Sequence, residues 1–358
     1  MSRRWRSRSR QNLYCTQINE CERLYLCEVL WVCGSLASRL SVDAVVALVR
    51  ANVYPLYPLV GGGIERTRDL DGFSWTAASF MKLADRLGRE DTQMPNEMVG
   101  TASLTGTRKD TRIGLFIPCY IDAFFPQVGI ATLELLEKLG CSVEYPLEQT
   151  CCGQPMANSG FQEDSAATEA HFVECFKDFE IVVGPSGSCV HHVRVHLDAL
   201  DEAPAVRKVR ESTRELVEFL HDKLKVAELP WAEFRHKVGL HDSCSAIRGL
   251  GHARPSELGY EPYFSKTREL LKKVRGLELI EIDRRDECCG FGGSFCVTDE
   301  AVSAKMGYDR VNDFYRHGVE YIASADMSCL LHMKGVIDRL KLPMKVVHVA
   351  QILNGGPL

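Results

Sequence analysis

No stretch of this sequence approaches the roughly 20 continuous apolar residues that a membrane-spanning helix needs. The nearest candidate, residues 24–37, is interrupted by Glu28. Strong charge of either sign is also missing. A net charge of −5 over 358 residues gives no reason to expect nucleic acid or an anionic membrane as the main partner. Nor does any pair of cysteines stand two residues apart, the spacing usual in structural zinc sites and ferredoxin-type cluster runs. A signal peptide is not indicated: the basic start, with Arg3, Arg4, Arg6, Arg8 and Arg10, leads into Glu20, Glu22 and Glu28 instead of an apolar segment. The expectation is a cytoplasmic protein.

What is present is ordinary in bulk and unusual in cysteine. Hydrophobic residues make up 45% and charged residues 25%, near the average for globular proteins, and 358 residues suffice for two domains and an extension. Fifteen cysteines is an odd number, in a chain too long to depend on a disulfide framework. Metal ligands or redox thiols in a reducing compartment are therefore expected.

Residues 1–110 show little periodic pattern and read as a poorly ordered or locally helical N-terminal extension. Cys15, Cys21, Cys27 and Cys33 recur every six residues there, a spacing that matches neither a helical face nor short ligand gaps, so they read as incidental. From Arg112 short apolar runs alternate with amphipathic helices, the pattern of parallel sheets covered on both faces. "RIGLFIP", "CSVEYP" and "EIVVGP" read as strands, with helices between and after them. "STRELVEFLHDKL" reads as a helix, with Ser212 and Glu215 forming a capping box.

The order then repeats. "KVGLHDSC" matches "RIGLFIPC", "LELIEIDRRDECCG" matches "CSVEYPLEQTCCG", and "VEYIASADMSCLLHMK" matches "FEIVVGPSGSCVHHVR". Internal duplication of one α/β unit accounts for this, with domains expected at residues 111–229 and 236–358. The fold class expected is α/β: two duplicated Rossmann-like cysteine-rich units with mainly parallel sheets.

Each copy carries four cysteines in the same order. They are Cys119, Cys151, Cys152 and Cys189 in the first, and Cys244, Cys288, Cys289 and Cys329 in the second. Loops after neighbouring parallel strands meet at the carboxyl edge of the sheet, so these sulfurs are expected to converge. Four thiolates suit a tetrahedral zinc or a cubane iron–sulfur cluster. Adjacent cysteines can both ligate only where the backbone turns sharply, which Gly153 permits, and the glycine-rich "GFGGS" from Gly290 to Ser294 reads as backbone brought close to the metal site. A cluster accepts adjacent ligands on different irons, whereas one zinc would be cramped by them. Cys296 is a possible additional ligand or redox thiol, and Cys141 and Cys175 read as core thiols. His241 and Asp242 precede Cys244 and are expected to face the site, where His241 would hydrogen-bond cluster sulfur or substrate. His192 and His332 align between the copies, and with His191 they read first as ordinary helix histidines. Thiol–disulfide exchange at the adjacent pairs would leave the lone cysteines without a task. A non-redox, zinc-stabilised interaction protein is a further alternative.

"GLFIPCYIDAFFPQVG", "TCCGQPMANSG" and "CCGFGGSFCV" resemble the cysteine-rich CCG domain family of iron–sulfur oxidoreductases, and within it most the lactate utilization protein A group. The resemblance covers the chain from about Arg112 onward. The absence of a ferredoxin-type cysteine run separates it from the glycolate oxidase iron–sulfur subunit. The family pattern ends each block with two cysteines spaced by two residues; here Ser186 and Asp326 stand in place of the first of them. That departure points away from the noncubane, disulfide-cleaving clusters of heterodisulfide reductase. The resemblance implies one or two [4Fe-4S] clusters and an electron-transfer role in oxidising L-lactate to pyruvate. It implies as partners the other subunits of a lactate-oxidising complex, including a ferredoxin-type iron–sulfur protein. No flavin or nicotinamide site is evident in the sequence, so a partner would supply that chemistry.

Overall fold

In the computed structural model, residues 112–259 and 262–356 are described. The expected N-terminal extension and its four evenly spaced cysteines lie outside the described residues. From Arg112 onward the chain forms two parallel four-stranded sheets with helices, one per sequence copy.

In the first unit, β1 (Arg112–Leu115), β2 (Ser142–Glu144), β3 (Ile181–Gly184) and β4 (Thr213–Glu215) lie in the order β2-β1-β3-β4. The helices are α1 (Cys119–Phe124), α2 (Pro126–Lys138), α3 (Gln154–Asn158), α4 (Gln162–Phe176), α5 (Gly187–Val195) and α6 (Pro204–Ser212), then α7 (Leu216–Glu218), which runs on into a π turn. The second unit repeats the plan, with β5 (Lys237–Leu240), β6 (Glu278–Ile280), β7 (Tyr321–Ser324) and β8 (Lys345–His348) in the order β6-β5-β7-β8. Its helices are α8 (Lys266–Leu271), α9 (Phe295–Thr298), α10 (Glu300–Arg316), α11 (Met327–Leu340) and α12 (Val349–Asn354). In each sheet the direction of winding reverses between the first and third strands, which makes a crevice at their carboxyl ends.

The duplication reaches individual contacts. β1 and β5 each carry a glycine, Gly114 and Gly239, under an aromatic ring. A Cβ on Gly114 would sit 2.8 Å from Phe179, and one on Gly239 would run into Phe314. Strands buried on both faces leave no room there for a side chain.

One reading from sequence is corrected. The capping box of Ser212 with Glu215 does not form. Thr213–Glu215 instead extends the sheet as β4, pairing Val182 with Thr213 and Gly184 with Glu215. Glu215 itself caps α7, its Oε2 accepting from the Val217 backbone N–H at 2.6 Å. Local pattern favours a helix start, but the open edge of β3 supplies backbone partners that no local signal encodes.

The two units share a core. Ile113, Leu115, Leu133 and Leu136 on one side and Val238, Ile322, Val347 and Leu353 on the other belong to a single buried apolar cluster. At its rim α2 meets α12: Lys138 Nζ donates to the Asn354 backbone oxygen and to its Oδ1, both at 2.7 Å, and Asn354 Nδ2 donates to Glu134 Oε2 at 2.9 Å. Behind the first sheet a separate cluster packs Phe116, Phe172, Phe176 and Val182 around Cys152.

Candidate metal centres

Each cysteine of the first quartet is placed by the end of a strand. Cys119 opens α1 just beyond β1, Cys151 and Cys152 lie in the loop after β2, and Cys189 sits in the first turn of α5 after β3. Their thiols interact in series, Cys151 with Cys119 and Cys152, and Cys152 with Cys189. The second unit repeats it, Cys288 meeting Cys244 and Cys289, and Cys289 meeting Cys329. All eight are free thiols. Sulfurs far apart in sequence are therefore gathered into two quartets at the carboxyl edges of the two sheets.

The turn that lets adjacent cysteines face one site is made by glycine. Gly153 has φ +92° and Gly290 has φ +91°, a left-handed conformation that other residues adopt at a cost. The Gly153 N–H donates to Cys151 Sγ at 3.5 Å, the Gly290 N–H to Cys288 Sγ at 3.4 Å, and the Phe291 N–H to Cys289 Sγ at 3.5 Å. Backbone donors converging on sulfur favour the thiolate form, which is the form that binds metal.

The electrostatics agree. Hydrogen bonds from Cys119 and Cys152 hold the Cys151 thiol well below its ordinary range, and those from Cys244 and Cys289 bring Cys288 down to about 2. Cys152 and Cys289 are pushed up by the same contacts and by burial. Four sulfurs gathered at one sheet edge, one of them favouring the thiolate, make a donor set that fits a multivalent metal centre.

The other candidates separate clearly. His241 is buried, and one of its ring nitrogens lies within 4.8 Å of the Cys289 and Cys329 sulfurs. Asp242 accepts from Thr267 Oγ1 at 2.9 Å and Tyr263 Oη at 3.2 Å, a structural network. Cys296 donates to the Gly293 carbonyl oxygen at 3.0 Å, and burial pushes its thiol up. Cys141 is half-buried beside the shared core, with its thiol raised to about 11 by burial. Cys175, also half-buried, meets His171 Nε2 at 3.6 Å. His192 is buried 3.4 Å from Glu169 Oε1, while its counterpart His332 meets the Ser303 carbonyl oxygen at 3.3 Å. His191 packs against Gly249 of the other unit.

Two groups beside the sites carry no sequence signal of their own as site residues. Arg310, buried on α10, donates from Nε to His241 Nδ1 at 3.2 Å. Asp326 gathers Ser186, Ser188 and Ser243 around its carboxylate at the junction of the units. Aligning α10 with α4 would have marked Arg310, because the matching residue in the first unit is a phenylalanine. For Asp326 the partners come largely from outside its own segment and leave no local mark.

A family model described as a cysteine-rich domain, CCG, matches residues 113–194 and 238–334. Similar curated proteins include lactate utilization protein A of Halalkalibacterium halodurans, 39% identical over 68% of this chain and 96% of that protein. The protein of that name from an Exiguobacterium species is 39% identical over 68% of this chain and 97% of its own length. The Bacillus cytotoxicus protein is 38% identical over 68% of this chain and 98% of its own length. A solved glutamate racemase from Bacillus anthracis, at 12% identity over 69% of this chain and 80% of its own and a TM-score of 0.29, is too distant to bear on function. The duplicated sheets, the twin cysteine quartets and these relatives together identify the chain as a member of the cysteine-rich CCG domain family, in the group of the lactate utilization protein A proteins.

Proposed function

We propose that this protein holds two [4Fe-4S] centres, one per unit, and serves as the electron-transferring iron–sulfur subunit of a complex that oxidises L-lactate to pyruvate. The ligands are Cys119, Cys151, Cys152 and Cys189 in the first centre and Cys244, Cys288, Cys289 and Cys329 in the second. The observation that carries this reading is the pair of quartets in which each sulfur meets the next in the same order. A bound cluster of this kind supplies one-electron transfer.

The chain's own residues set the conditions for that transfer. Gly153, Gly290 and Phe291 aim N–H groups at sulfur, which stabilises the reduced state. The two sites also adjoin. Tyr120, next to Cys119, has its ring 6.3 Å from that of Phe291, next but one to Cys289. Gly187 of α5 packs on Ala246 and Ser243, which flank Cys244. Oxidation of lactate to pyruvate releases two electrons and two protons, so two single-electron centres match its stoichiometry.

The substrate assignment draws on the relatives' name, and a hydride- or flavin-handling partner and a ferredoxin-type partner complete the system. A cytoplasmic location belongs to the same reading. Among the described residues no helix is long and apolar enough to cross a membrane. Anaerobic purification followed by iron, sulfide and zinc analysis tests the centres. About eight irons and as much sulfide per chain are expected. Stoichiometric zinc without sulfide rejects the reading in favour of a structural metal.

A further inference from the structure

The two quartets are built alike, but the groups that lean on them are not. Phe116 and His241 occupy one position. Each follows the first strand of its unit and donates its backbone N–H across the sheet, Phe116 to Val183 at 2.9 Å and His241 to Ala323 at 2.8 Å. Phe172 and Arg310 likewise correspond: Phe172 lies 4.7 Å from the Phe176 ring, and the Arg310 guanidinium lies 4.5 Å over the Phe314 ring. In the first unit the pair is apolar, Phe116 edge-on to Phe172 at 4.8 Å. In the second it is polar, with Arg310 Nε donating to His241 Nδ1 at 3.2 Å.

This exchange decides where the imidazole proton sits. An arginine can only donate, so Nδ1 of His241 must be the accepting nitrogen and the ring proton resides on Nε2. That Nε2 is buried and has no hydrogen-bond partner among the described residues. Orphaned buried donors are rare, because each gives up its hydrogen bond to water without a replacement. The nearby acceptors are sulfur, since a ring nitrogen of His241 stands within 4.8 Å of Cys289 and Cys329. With its proton on Nε2, the ring has no lone pair there for iron and acts as a donor instead of a ligand.

Given the two-cluster reading above, we infer that His241, held by Arg310, donates its Nε2–H to sulfur of the second centre and so makes that centre the electron sink of the pair. An N–H directed at cluster sulfur stabilises the more negative, reduced state and raises the reduction potential. The guanidinium behind the ring polarises the donor further in the same direction. The first centre has a phenylalanine at this corner. Its buried histidine, His192, is shared in kind with His332 of the second unit, and in the first unit that ring is met by Glu169 where the second has Gly307. Electrons therefore run from the first centre to the second.

The test is a redox titration of the anaerobic, cluster-loaded protein followed by electron paramagnetic resonance, with Cys289→Ser used to identify the second centre's signal. In His241→Phe the second centre's midpoint shifts to lower potential and the first centre's does not move, with iron and sulfide content unchanged. His241→Gln, whose amide accepts from Arg310 and still donates, retains most of the wild-type midpoint. The double change His241→Phe/Arg310→Phe rebuilds the first unit's apolar pair and guards against a folding defect in the single variant. It gives the same downward shift. An unmoved midpoint at full iron content overturns the inference and leaves the cluster reading intact. So does loss of the second centre's iron in both Phe variants, which would make His241 a ligand. Wild-type protein lacking iron and sulfide overturns the cluster reading, and the inference with it.

Discussion

Ser186 and Asp326 occupy matching places, each three residues before the last cysteine of its quartet, and they touch each other: Ser186 Oγ donates to Asp326 Oδ1 at 3.2 Å. Asp326 also accepts the Ser188 backbone N–H at 2.8 Å and the Ser243 hydroxyl at 3.1 Å. The positions where the family pattern would carry an additional cysteine are thus spent on joining the two units. A carboxylate with this many donors bridges the strand ends that carry both sites.

Asp326→Ala leaves the half-buried Ser188 backbone N–H and several hydroxyls without this acceptor. A loss of about 2–4 kcal/mol in unfolding free energy is expected, since orphaning a donor to a charged group costs more than a neutral bond. Ser186→Ala removes only the cap on the Cys189 N–H and one of those donors, for about 1 kcal/mol. Urea denaturation of both variants checks the ratio, and equal losses would contradict the bridging role.

Gly290→Ala meets two obstacles at once. Its φ is +91°, and an added Cβ would lie 2.6 Å from the Ser303 backbone oxygen, which cannot swing aside like a side-chain end. Gly293 also has a positive φ, +65°, but a Cβ there meets nothing within 4 Å. Gly290→Ala is expected to cost about 3 kcal/mol or more and to impair metal loading of the second centre; Gly293→Ala should cost about 1 kcal/mol. Thermal melts with iron analysis compare them.

Cys152→Ser and Cys289→Ser, made separately, are each expected to halve iron and sulfide. The contacts that join each quartet stay within its own unit. Loss of both centres from either single change would show that the sites are interdependent.

His348 supplies a pH signature. Its Nδ1 accepts from the Ala350 N–H at 3.1 Å while Nε2 meets the Pro185 carbonyl oxygen at 3.1 Å, so the neutral ring is the one that fits. Burial lowers it from the ordinary 6.5 to about 4. The unfolded chain then takes up a proton that the folded chain refuses. Stability from this group is complete above about pH 6.5 and falls as pH drops to about 4, by about 3 kcal/mol in all. His348→Gln should flatten that part of the stability–pH curve. An unchanged slope from chemical denaturation between those limits would refute it.

Much of this was legible in the linear chain. The parallel α/β class could be read from short apolar runs alternating with helices, because strands buried on both faces have no polar positions to disguise them. The two quartets could be read because duplication preserved the order Cys, Cys-Cys-Gly, Cys at three strand ends. β4 could not be read: Thr213–Glu215 is too short to carry a period, and its strand character comes from the exposed edge of β3.

By itself the amino-acid order determined that sulfurs would meet, since topology brings the carboxyl ends of consecutive parallel strands to one edge whatever fills the loops. What surrounds those sulfurs was decided only in three dimensions. Phe172 and Arg310 each sit on a helix, many residues from Phe116 and His241, and whether the pair is a ring contact or a hydrogen bond depends on two side chains meeting across the sheet. The same holds for Ser186 and Asp326. Hydrophobic spacing encodes which face is buried; the direction in which a buried donor points is set by neighbours that the chain reaches only by folding.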